Sequence, residues 1–468
     1  MTHQKTAGKK LKRVCLILLI LSPFLLLGWV HVWSNLKVRA QVRAIRKAGD
    51  PATLQDLDNL AQKIPLQEEA AAFYAEVFGC LVFDDMETRL RVQLPSIWRI
   101  ESGKQTWPLP SEDRQWVRDV LDADYEALAL LQEAPEIQGR VFDRLCADWP
   151  DGFVSRMELL HRVVDLLLLN VLYAVDQADA VTVTESIKAA LSVADTLRET
   201  PFGFSQGHRR GLVSRVAAVL GWASGRIQLS RDQQRDLDQR FDAIVWPMSL
   251  RESLASERCA FRAVYHHPTP EILREFGFSG SIGSAKREPI HAGWIFAFKW
   301  SGLLRHSEAT FLRQSEQIID ASLQWKPSQE RDIGRVVGFS DRPWPITLTS
   351  TFMSYVNSER FHPSAVRARL QVLRGVLAAR QYHQQTGQWP QALGDLVPEY
   401  LKVIPSDPYT SSPIHYRLRQ GGRAIFSVGA DLRASQEPYF KDDFDHRNCD
   451  DVIEWLEPPG EHPDKANY

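Results

Sequence analysis

The chain has 468 residues, enough for two or three domains of ordinary size, and 44% of them are hydrophobic while 24% are charged. Its formal net charge of −2 argues against a nucleic-acid-binding protein, because such proteins normally present a strongly basic face. Basic residues are concentrated at one place, since the first 49 residues contain ten Lys and Arg and no Asp or Glu. This clustering favours a membrane as the partner of the chain. We do not expect a nucleic-acid ligand.

An uncharged apolar run, residues 14–36, lies between a basic tail, residues 1–13, and a basic juxtamembrane segment, residues 37–49. As a helix the run would extend about 34 Å, enough for a hydrocarbon core of about 30 Å. Trp29 and Trp33 lie near its end, where interfacial indoles are favoured. The run predicts one transmembrane helix in contact with membrane lipid. A cleaved signal peptide is the alternative, although the run is long for one.

The orientation of this helix is not decided by charge, because five basic residues precede the run and five follow it. Large domains are translocated largely regardless of their charge. We therefore expect a single pass with the N-terminus inside and the body extracytoplasmic.

Residues 50–360 show apolar residues at three- and four-residue spacing in successive segments, which is the pattern of amphipathic helices. Asp50-Pro51 has the composition of an N-cap followed by a first helical residue. The longest segment, residues 154–199, is interrupted by Gln177-Ala178-Asp179 and predicts a helical hairpin. A second hairpin is predicted over residues 212–245, and residues 335–351 are expected to be mainly loop. These segments together predict an irregular α-helical hairpin array.

Motifs that carry known chemistry are missing from the sequence: there is no HExxH, GxSxG, phosphate loop or dinucleotide-binding glycine pattern. His208-Arg209-Arg210 suits an anion, but we favour a helix-capping role, and we expect His266-His267 at the surface. The five cysteines form no CxxC pair and no zinc-ligand spacing, so scattered thiols are favoured. One disulfide remains an alternative if the body is extracytoplasmic. No catalytic residue is assigned.

Residues 362–457 form a separate pattern. Pro363-Ser364 predicts the cap of a helix that ends near Gln385, with Gly387 as its C′ residue. Residues 414–419 and 423–428 alternate in polarity around Gln420-Gly421-Gly422, which predicts a β-hairpin.

The order of residues in this stretch resembles the C-terminal domain of the major pseudopilins of type II secretion systems. The match covers about a fifth of the chain and rests on Tyr382, Thr386, Gly387, Trp389, Pro390, Leu393, Leu396, Pro398, Pro405, Asp407, Pro408, Pro413, Tyr416, Ser427, Gly429 and Asp431. The resemblance implies a small α+β module: a long helix, a short helix and an antiparallel sheet. The layout of the whole chain is also similar to large membrane-anchored proteins of planctomycete-type bacteria. That similarity implies a location in a bacterial inner membrane.

The chain departs from the pseudopilins at its N-terminus. A pseudopilin has a Gly-Phe peptidase site with a glutamate directly before its apolar helix, whereas this chain has Lys12-Arg13-Val14 there. Its pseudopilin-like module also begins roughly 330 residues after the apolar run instead of continuing it. We therefore do not expect this chain to be processed as a prepilin or to assemble into a pseudopilus.

Major pseudopilins bind calcium in the loop after the sheet, and the resemblance implies a corresponding site between residues 431 and 451. Calcium takes six to eight oxygen ligands, which an acidic loop can supply. The candidate ligands are Asp431, Asp442, Asp443, Asp445 and Asp450. A solvated acidic loop without metal is the favoured interpretation, since the spacing fits no EF-hand, and the calcium site is the alternative.

The predicted fold class is mainly α, with an N-terminal transmembrane helix, a helical hairpin array, the small C-terminal α+β pseudopilin-like module and a short tail, residues 458–468. We favour a non-enzymatic, membrane-anchored scaffold or protein-interaction protein of the cell envelope, with protein partners and no cofactor, and with calcium as the alternative to none. Two alternatives stay open. One is an enzyme whose residues converge within the helical array, and the other is an accessory component of a secretion system.

Overall fold

A computed structural model describes residues 2–63, 68–82, 111–137, 139, 151–244, 246, 248–266, 303–323, 345–419, 422–429 and 452–457. Within the first helix, side chains are described at Ser22 and from Leu25 onward. The predicted tail, residues 458–468, lies outside the described residues. The described part is mainly helical, as the sequence predicts.

The described residues contain twelve α-helices, two short 3₁₀ helices and three strands. The α-helices are α1 Thr2–Lys47, α2 Leu54–Ala61, α3 Glu68–Cys80, α4 Ser111–Ala123, α5 Tyr125–Leu131, α6 Asp151–Asp176, α7 Ala180–Asp195, α8 Gly203–Ser224, α9 Arg231–Asp242, α10 Leu250–Val264, α11 Leu303–Leu323 and α12 Pro345–Thr386. The 3₁₀ helices are Ala134–Glu136 and Leu393–Leu396, and the strands are β1 His415–Arg419, β2 Gly422–Ser427 and β3 Val452–Glu457.

The predicted hairpin over residues 154–199 is confirmed as α6 and α7. Asp179 is the N-cap of α7, where its carboxylate accepts hydrogen bonds from the amides of Val181 and Thr182 at 3.0 and 3.1 Å. Ala178 adopts a left-handed backbone, with a φ of 56°, and completes the turn. The sequence placed this turn correctly because Asp is both a turn residue and a strong helix cap.

Two predicted helix starts are wrong. The helix after Asp50-Pro51 begins at Leu54, because the Thr53 hydroxyl accepts a hydrogen bond from the Asp56 amide at 3.1 Å and takes the capping position. The helix expected to start after Pro363 begins at Pro345 and continues through Pro363, so residues 345–351 are helix and not loop. Pro363 costs one backbone hydrogen bond, and the long helical segments on both sides outweigh that cost.

By its contacts the chain divides into two units. Unit 1 is drawn from residues 1–57, 254–325 and 329–357, and unit 2 from residues 58–253, 326–328 and 358–468.

In unit 1 the second half of α1 packs along α11. The buried residues Ser34, Val38 and Ile45 follow one another at helical spacing, so one face of α1 is covered from about residue 34 onward. Phe261 and Phe311 are both fully buried, and their ring centroids are 6.2 Å apart. These contacts join α1, α10 and α11 in one apolar core.

In unit 2 the antiparallel hairpin of α6 and α7 packs against α8. The second half of α12 packs against a three-stranded antiparallel sheet in the order β1-β2-β3. The predicted hairpin is confirmed, with Tyr416 paired to Ile425. The core of this module consists of Val372, Val376, Ala378, Ala379, Leu393, Leu396, Leu401, Ile414, Ile425 and Leu456.

Several residues of the pseudopilin-like pattern have identifiable structural roles. Gly387 ends α12 with a φ of 73°, the left-handed conformation that suits a C′ glycine. Asp407 is fully buried, and its carboxylate accepts hydrogen bonds from the amides of Tyr409 and Val428, both at 2.9 Å. This carboxylate therefore ties the turn before β1 to the end of β2.

At Gly375, α12 closely approaches Ile425 of β2 and the neighbouring Ile414. A Cβ atom added there would lie 2.9 Å from Ile414 Cδ1 and 3.3 Å from Ile425 Cδ1. We predict that Gly375→Val lowers the free energy of unfolding by about 1–3 kcal/mol, because it overpacks this contact. Gly211→Val in α8 is the matched control, since nothing lies within 4 Å of an added Cβ atom there. Urea unfolding followed by circular dichroism measures both, and equal effects of the two variants would contradict the prediction.

Candidate functional site: the uncovered part of α1 and the buried polar clusters

The part of α1 that precedes its contact with α11 is apolar and uncovered. Leu25, Leu26, Leu27 and Trp29 have exposed fractions of 66%, 61%, 40% and 61%. Residues 25–29 are consecutive and exposed, and five residues make more than one turn of about 3.6 residues. Every side of the helix is therefore exposed here. We call residues 25–29 the uncovered segment.

Aromatic and basic side chains mark the end of the uncovered segment. Trp33 stacks on Trp29 with ring centroids 5.8 Å apart, and on His306 of α11 at 6.0 Å. The Lys37 ammonium lies 3.5 Å from the centroid of the Trp33 ring. From Ser34 onward, which is next to this cluster, α1 has buried side chains on one of its faces. Indole rings beside a lysine are typical of the boundary between an apolar phase and water.

Among the helices that the structure describes, none combines the length and the apolar character needed to cross a membrane. The predicted transmembrane segment, residues 14–36, lies in α1, and the side chains of residues 14–21, 23 and 24 lie outside the described part.

A buried carboxylate organises unit 1. Glu308 of α11 is fully buried, and its oxygens accept hydrogen bonds from Arg262 Nε at 2.8 Å and Arg305 Nη1 at 2.6 Å. His266 Nε2 lies 3.2 Å from the same carboxylate. The second donor group of Arg262 reaches the carbonyl oxygen of Ala52 at 3.0 Å. Glu308 thus connects α10, α11 and the loop before α2.

Burial alone would raise the pKa of Glu308. The hydrogen bond from His266, the charges of Arg262 and His266 and the hydrogen bond from Arg305 outweigh burial and lower the pKa to about 2. The carboxylate is therefore ionised near neutral pH, and both of its oxygens already have donors. This arrangement suits a structural ion-pair cluster better than a proton-transferring group, whose pKa should lie near the working pH.

Arg258 makes a second connection in unit 1. Its side chain is fully buried, it pairs with Glu316 of α11, and its Nη2 atom donates to the carbonyl oxygen of Pro51 at 3.0 Å. Arg258 and Arg262 are one helical turn apart on α10, so both hold the same loop against the same neighbouring helix.

A histidine pair connects two helices of unit 2. His161 Nε2 of α6 lies 2.9 Å from His208 Nδ1 of α8. Burial, together with the neighbouring His208 and the Arg215 charge, lowers the pKa of His161 to about 3, and burial lowers the pKa of His208 to about 4. Arg215 also pairs with Asp165. Both imidazoles are neutral at pH 7 and serve as a hydrogen-bonded link between the helices.

The helix-capping role expected for His208-Arg209-Arg210 is wrong, because all three residues lie inside α8. The side chain of Arg209 is fully buried, and its Nη2 atom lies 2.5 Å from Asp195 Oδ1 of α7. The Arg209 guanidinium also lies 4.8 Å from the centroid of the Trp246 ring. His266, which was expected at the surface, is only partly exposed because it contacts Glu308.

The five predicted calcium ligands, Asp431, Asp442, Asp443, Asp445 and Asp450, lie outside the described residues, and calcium binding there stays a prediction. Among the described residues, no group of three or more His, Cys, Asp and Glu could hold a metal ion. Cys80 and Cys259 are free thiols, as expected for scattered cysteines. Burial raises the pKa of Cys259 to about 12, so this thiol is not a reactive thiolate.

Sequence reasoning missed Glu308, Asp165 and the arginines that pair with them. A signal for Asp165 was present, because it stands inside the apolar run VVDLLLL, where a single charge needs a partner. For Glu308 the only nearby signal is Arg305, three residues earlier; Arg262 and His266 lie 46 and 42 positions earlier and are brought to it by the fold.

No protein-family model, no curated protein and no solved structure matches this chain.

The Glu308 cluster makes the stability of unit 1 depend on pH. The pKa of Glu308 lies near 4.5 in the unfolded chain and near 2 in the folded protein, so its stabilisation is complete above pH 4.5 and is lost as the pH falls through 2. We predict a loss of about 3 kcal/mol over this range, which Glu308→Gln lacks. Glu308→Gln is also less stable at pH 7 by about 3–5 kcal/mol, because the partly buried Arg262 and Arg305 lose their counter-charge.

Urea unfolding at a series of pH values measures this dependence. Glu185→Gln is the matched control, because Glu185 makes an exposed ion pair with Lys188 at 3.1 Å, for which less than about 1 kcal/mol is expected. Parallel pH profiles for the wild type and Glu308→Gln would contradict the prediction.

Proposed function

We propose that this protein is a single-pass, membrane-anchored scaffold or protein-interaction protein of the bacterial cell envelope, with its helical body outside the cytoplasm. The uncovered segment of α1 carries the proposal. Apolar side chains exposed on every side of a helix need an apolar environment, and burying one leucine or similar side chain contributes about 1.5–3 kcal/mol. A run of such residues on a water-facing helix would be strongly unfavourable.

The distribution of apolar residues favours lipid over a protein partner as this environment. A helix that docks on another protein presents one apolar face and keeps the other polar. Leu25, Leu26 and Leu27 instead point in three different directions around the axis, and all three are exposed. Leu25 is also the midpoint of the uncharged run, residues 14–36, and Trp29, Trp33 and Lys37 follow it in the order expected at a membrane boundary.

A structural role for the body is supported by the pairing of its buried ionisable side chains with neighbouring side chains. Glu308 and Asp165 are each held by arginine, and the His161–His208 pair is neutral and bridges two helices. Each of these groups is paired with a side chain of its own unit. We infer that unit 1 and unit 2 present surfaces to protein partners, and that the pseudopilin-like module contributes one such surface.

The anchoring part of this proposal is tested by placing charge in the uncovered segment. We predict that the double variant Leu25→Glu/Leu26→Glu shifts most of the protein out of the carbonate-resistant membrane fraction, because each charge near the bilayer centre costs about 2.5–3.5 kcal/mol. Val181→Glu/Val403→Glu is the matched control, since both valines are 64% exposed in unit 2. Immunoblots of the fractions give the result, and a control variant that is released equally would contradict the anchor.

The orientation is tested with a reporter on the C-terminus. We predict that alkaline phosphatase fused after Tyr468 is active in bacterial cells, because this enzyme folds correctly only outside the cytoplasm, where disulfides form. The same fusion lacking residues 1–36 is the control and should be inactive. An inactive full-length fusion of normal abundance would place the body in the cytoplasm.

A further inference from the structure

Three basic residues follow the uncovered segment, on the part of α1 that packs along α11. Lys37, Arg39 and Arg43 are exposed, while the face of the helix that contains Val38 and Ile45 is buried. The first 49 residues contain no Asp or Glu, so α1 supplies no counter-charge of its own. Within the described part of the chain, none of the three makes a hydrogen bond or an ion pair. We call Lys37, Arg39 and Arg43 the juxtamembrane cations.

Other arginines of unit 1 have carboxylate partners within the protein. Arg46, near the end of α1, pairs with Asp56 at 2.9 Å. Arg258 and Arg262 of α10 pair with glutamates of α11. The juxtamembrane cations differ from these arginines, because the described part of the chain provides no carboxylate for them. An anion that neutralises them therefore comes from outside that part of the chain.

The juxtamembrane cations lie at the depth of lipid headgroups when Trp33 is placed at the edge of the apolar phase. At 1.5 Å per residue they follow Trp33 by about 6, 9 and 15 Å, and Arg46 follows it by about 20 Å. The headgroup layer extends roughly 5–8 Å beyond the hydrocarbon core, and its charge acts over a Debye length of about 8 Å. Of these four cations, the one beyond the reach of the headgroups is the one that pairs within the protein.

The side chain of Lys37 gives a second, independent observation. Its ammonium lies 3.5 Å from the centroid of the Trp33 ring, which is one turn nearer to the uncovered segment. The side chain therefore turns back along α1 toward the apolar phase and not toward the carboxylates of the body. A lysine beside apolar residues takes this course when its charged end is to reach the polar boundary of the lipid.

We propose that the juxtamembrane cations bind the phosphate groups of anionic phospholipids in the leaflet that faces the body of the protein. Guanidinium and ammonium groups both form charge-assisted hydrogen bonds with phosphate. A zwitterionic phospholipid carries its own cation beside the phosphate, so the site selects anionic lipids over zwitterionic ones. This inference rests on the proposed anchoring of α1, whose lipid partner it specifies. It holds for either orientation of the anchor, because the cations stay on the side of the body.

Site-specific photo-crosslinking of the full chain tests the selection. Benzoylphenylalanine replaces Leu36, which is 57% exposed and adjacent to Lys37. The protein is reconstituted into vesicles of equal parts phosphatidylglycerol and phosphatidylcholine with the same acyl chains, and mass spectrometry counts the adducts of each lipid after irradiation. Because position 36 follows the apolar run, it samples the leaflet on the side of the body and not the one beside the basic tail. We expect phosphatidylglycerol adducts in at least about threefold excess, since each basic residue near the surface attracts anionic lipid.

Charge removal at the site is compared with the same charge removal elsewhere. In Lys37→Gln/Arg39→Gln/Arg43→Gln the excess should fall to about one, because glutamine keeps the helix and removes the charge. The matched control is a triple variant at three exposed basic residues of unit 2, and its ratio should equal that of the wild type. The control carries Lys63→Gln, Arg235→Gln and Lys402→Gln.

Failure of this proposal and failure of the anchor give different results. Lipid adducts at position 26 together with equal adducts of the two lipids at position 36, or with none there, would overturn the headgroup site and leave the anchor in place. An excess that the juxtamembrane variant keeps, or that the control variant loses equally, would also overturn the site. Absence of lipid adducts at both positions would remove the anchor and the headgroup site together.

Discussion

The contrast between the two parts of α1 is the constraint on which the proposed arrangement of this protein depends. From Ser34 onward, one face of the helix is covered and packs along α11. Before that point Leu25, Leu26 and Trp29 are all exposed, so no face of the helix is covered there. A continuous helix that is one-sided at one end and apolar all round at the other meets two different environments. Trp33 marks the change, because it stacks on His306 of the body and on Trp29 of the uncovered segment.

The helices of both units are linked by arginines that pair with buried or half-buried carboxylates. In unit 1, Arg262 joins α10 to Glu308 of α11 and to the loop before α2. In unit 2, Arg209 joins α8 to Asp195 of α7. Removing one partner of such a pair is costly, since it leaves an uncompensated charge in the interior. Stability of the body therefore depends on specific pairs as well as on its apolar core.

Local features of the fold could be predicted from the sequence, whereas contacts between residues distant in sequence could not. The turn at Asp179, the hairpin of β1 and β2 and the end of α12 at Gly387 follow from short-range signals, and all were predicted correctly. The start of α12 was missed because a proline inside a helical pattern normally indicates a boundary, and here the helix continues through it. The Glu308 cluster was out of reach, since Arg262 and His266 lie 46 and 42 positions before Glu308 and meet it only through packing.

The central claim is that lipid surrounds the uncovered segment, and photo-crosslinking tests it most directly. A benzoylphenylalanine residue in place of Leu26 should give lipid adducts by mass spectrometry when membranes from intact cells are irradiated. The same residue in place of Val181, which is equally apolar and 64% exposed in unit 2, should give none. Adducts to lipid at position 26 alone are the predicted result. Adducts at position 26 that consist of protein, with no lipid, would contradict the anchor and identify the uncovered segment as a protein interface.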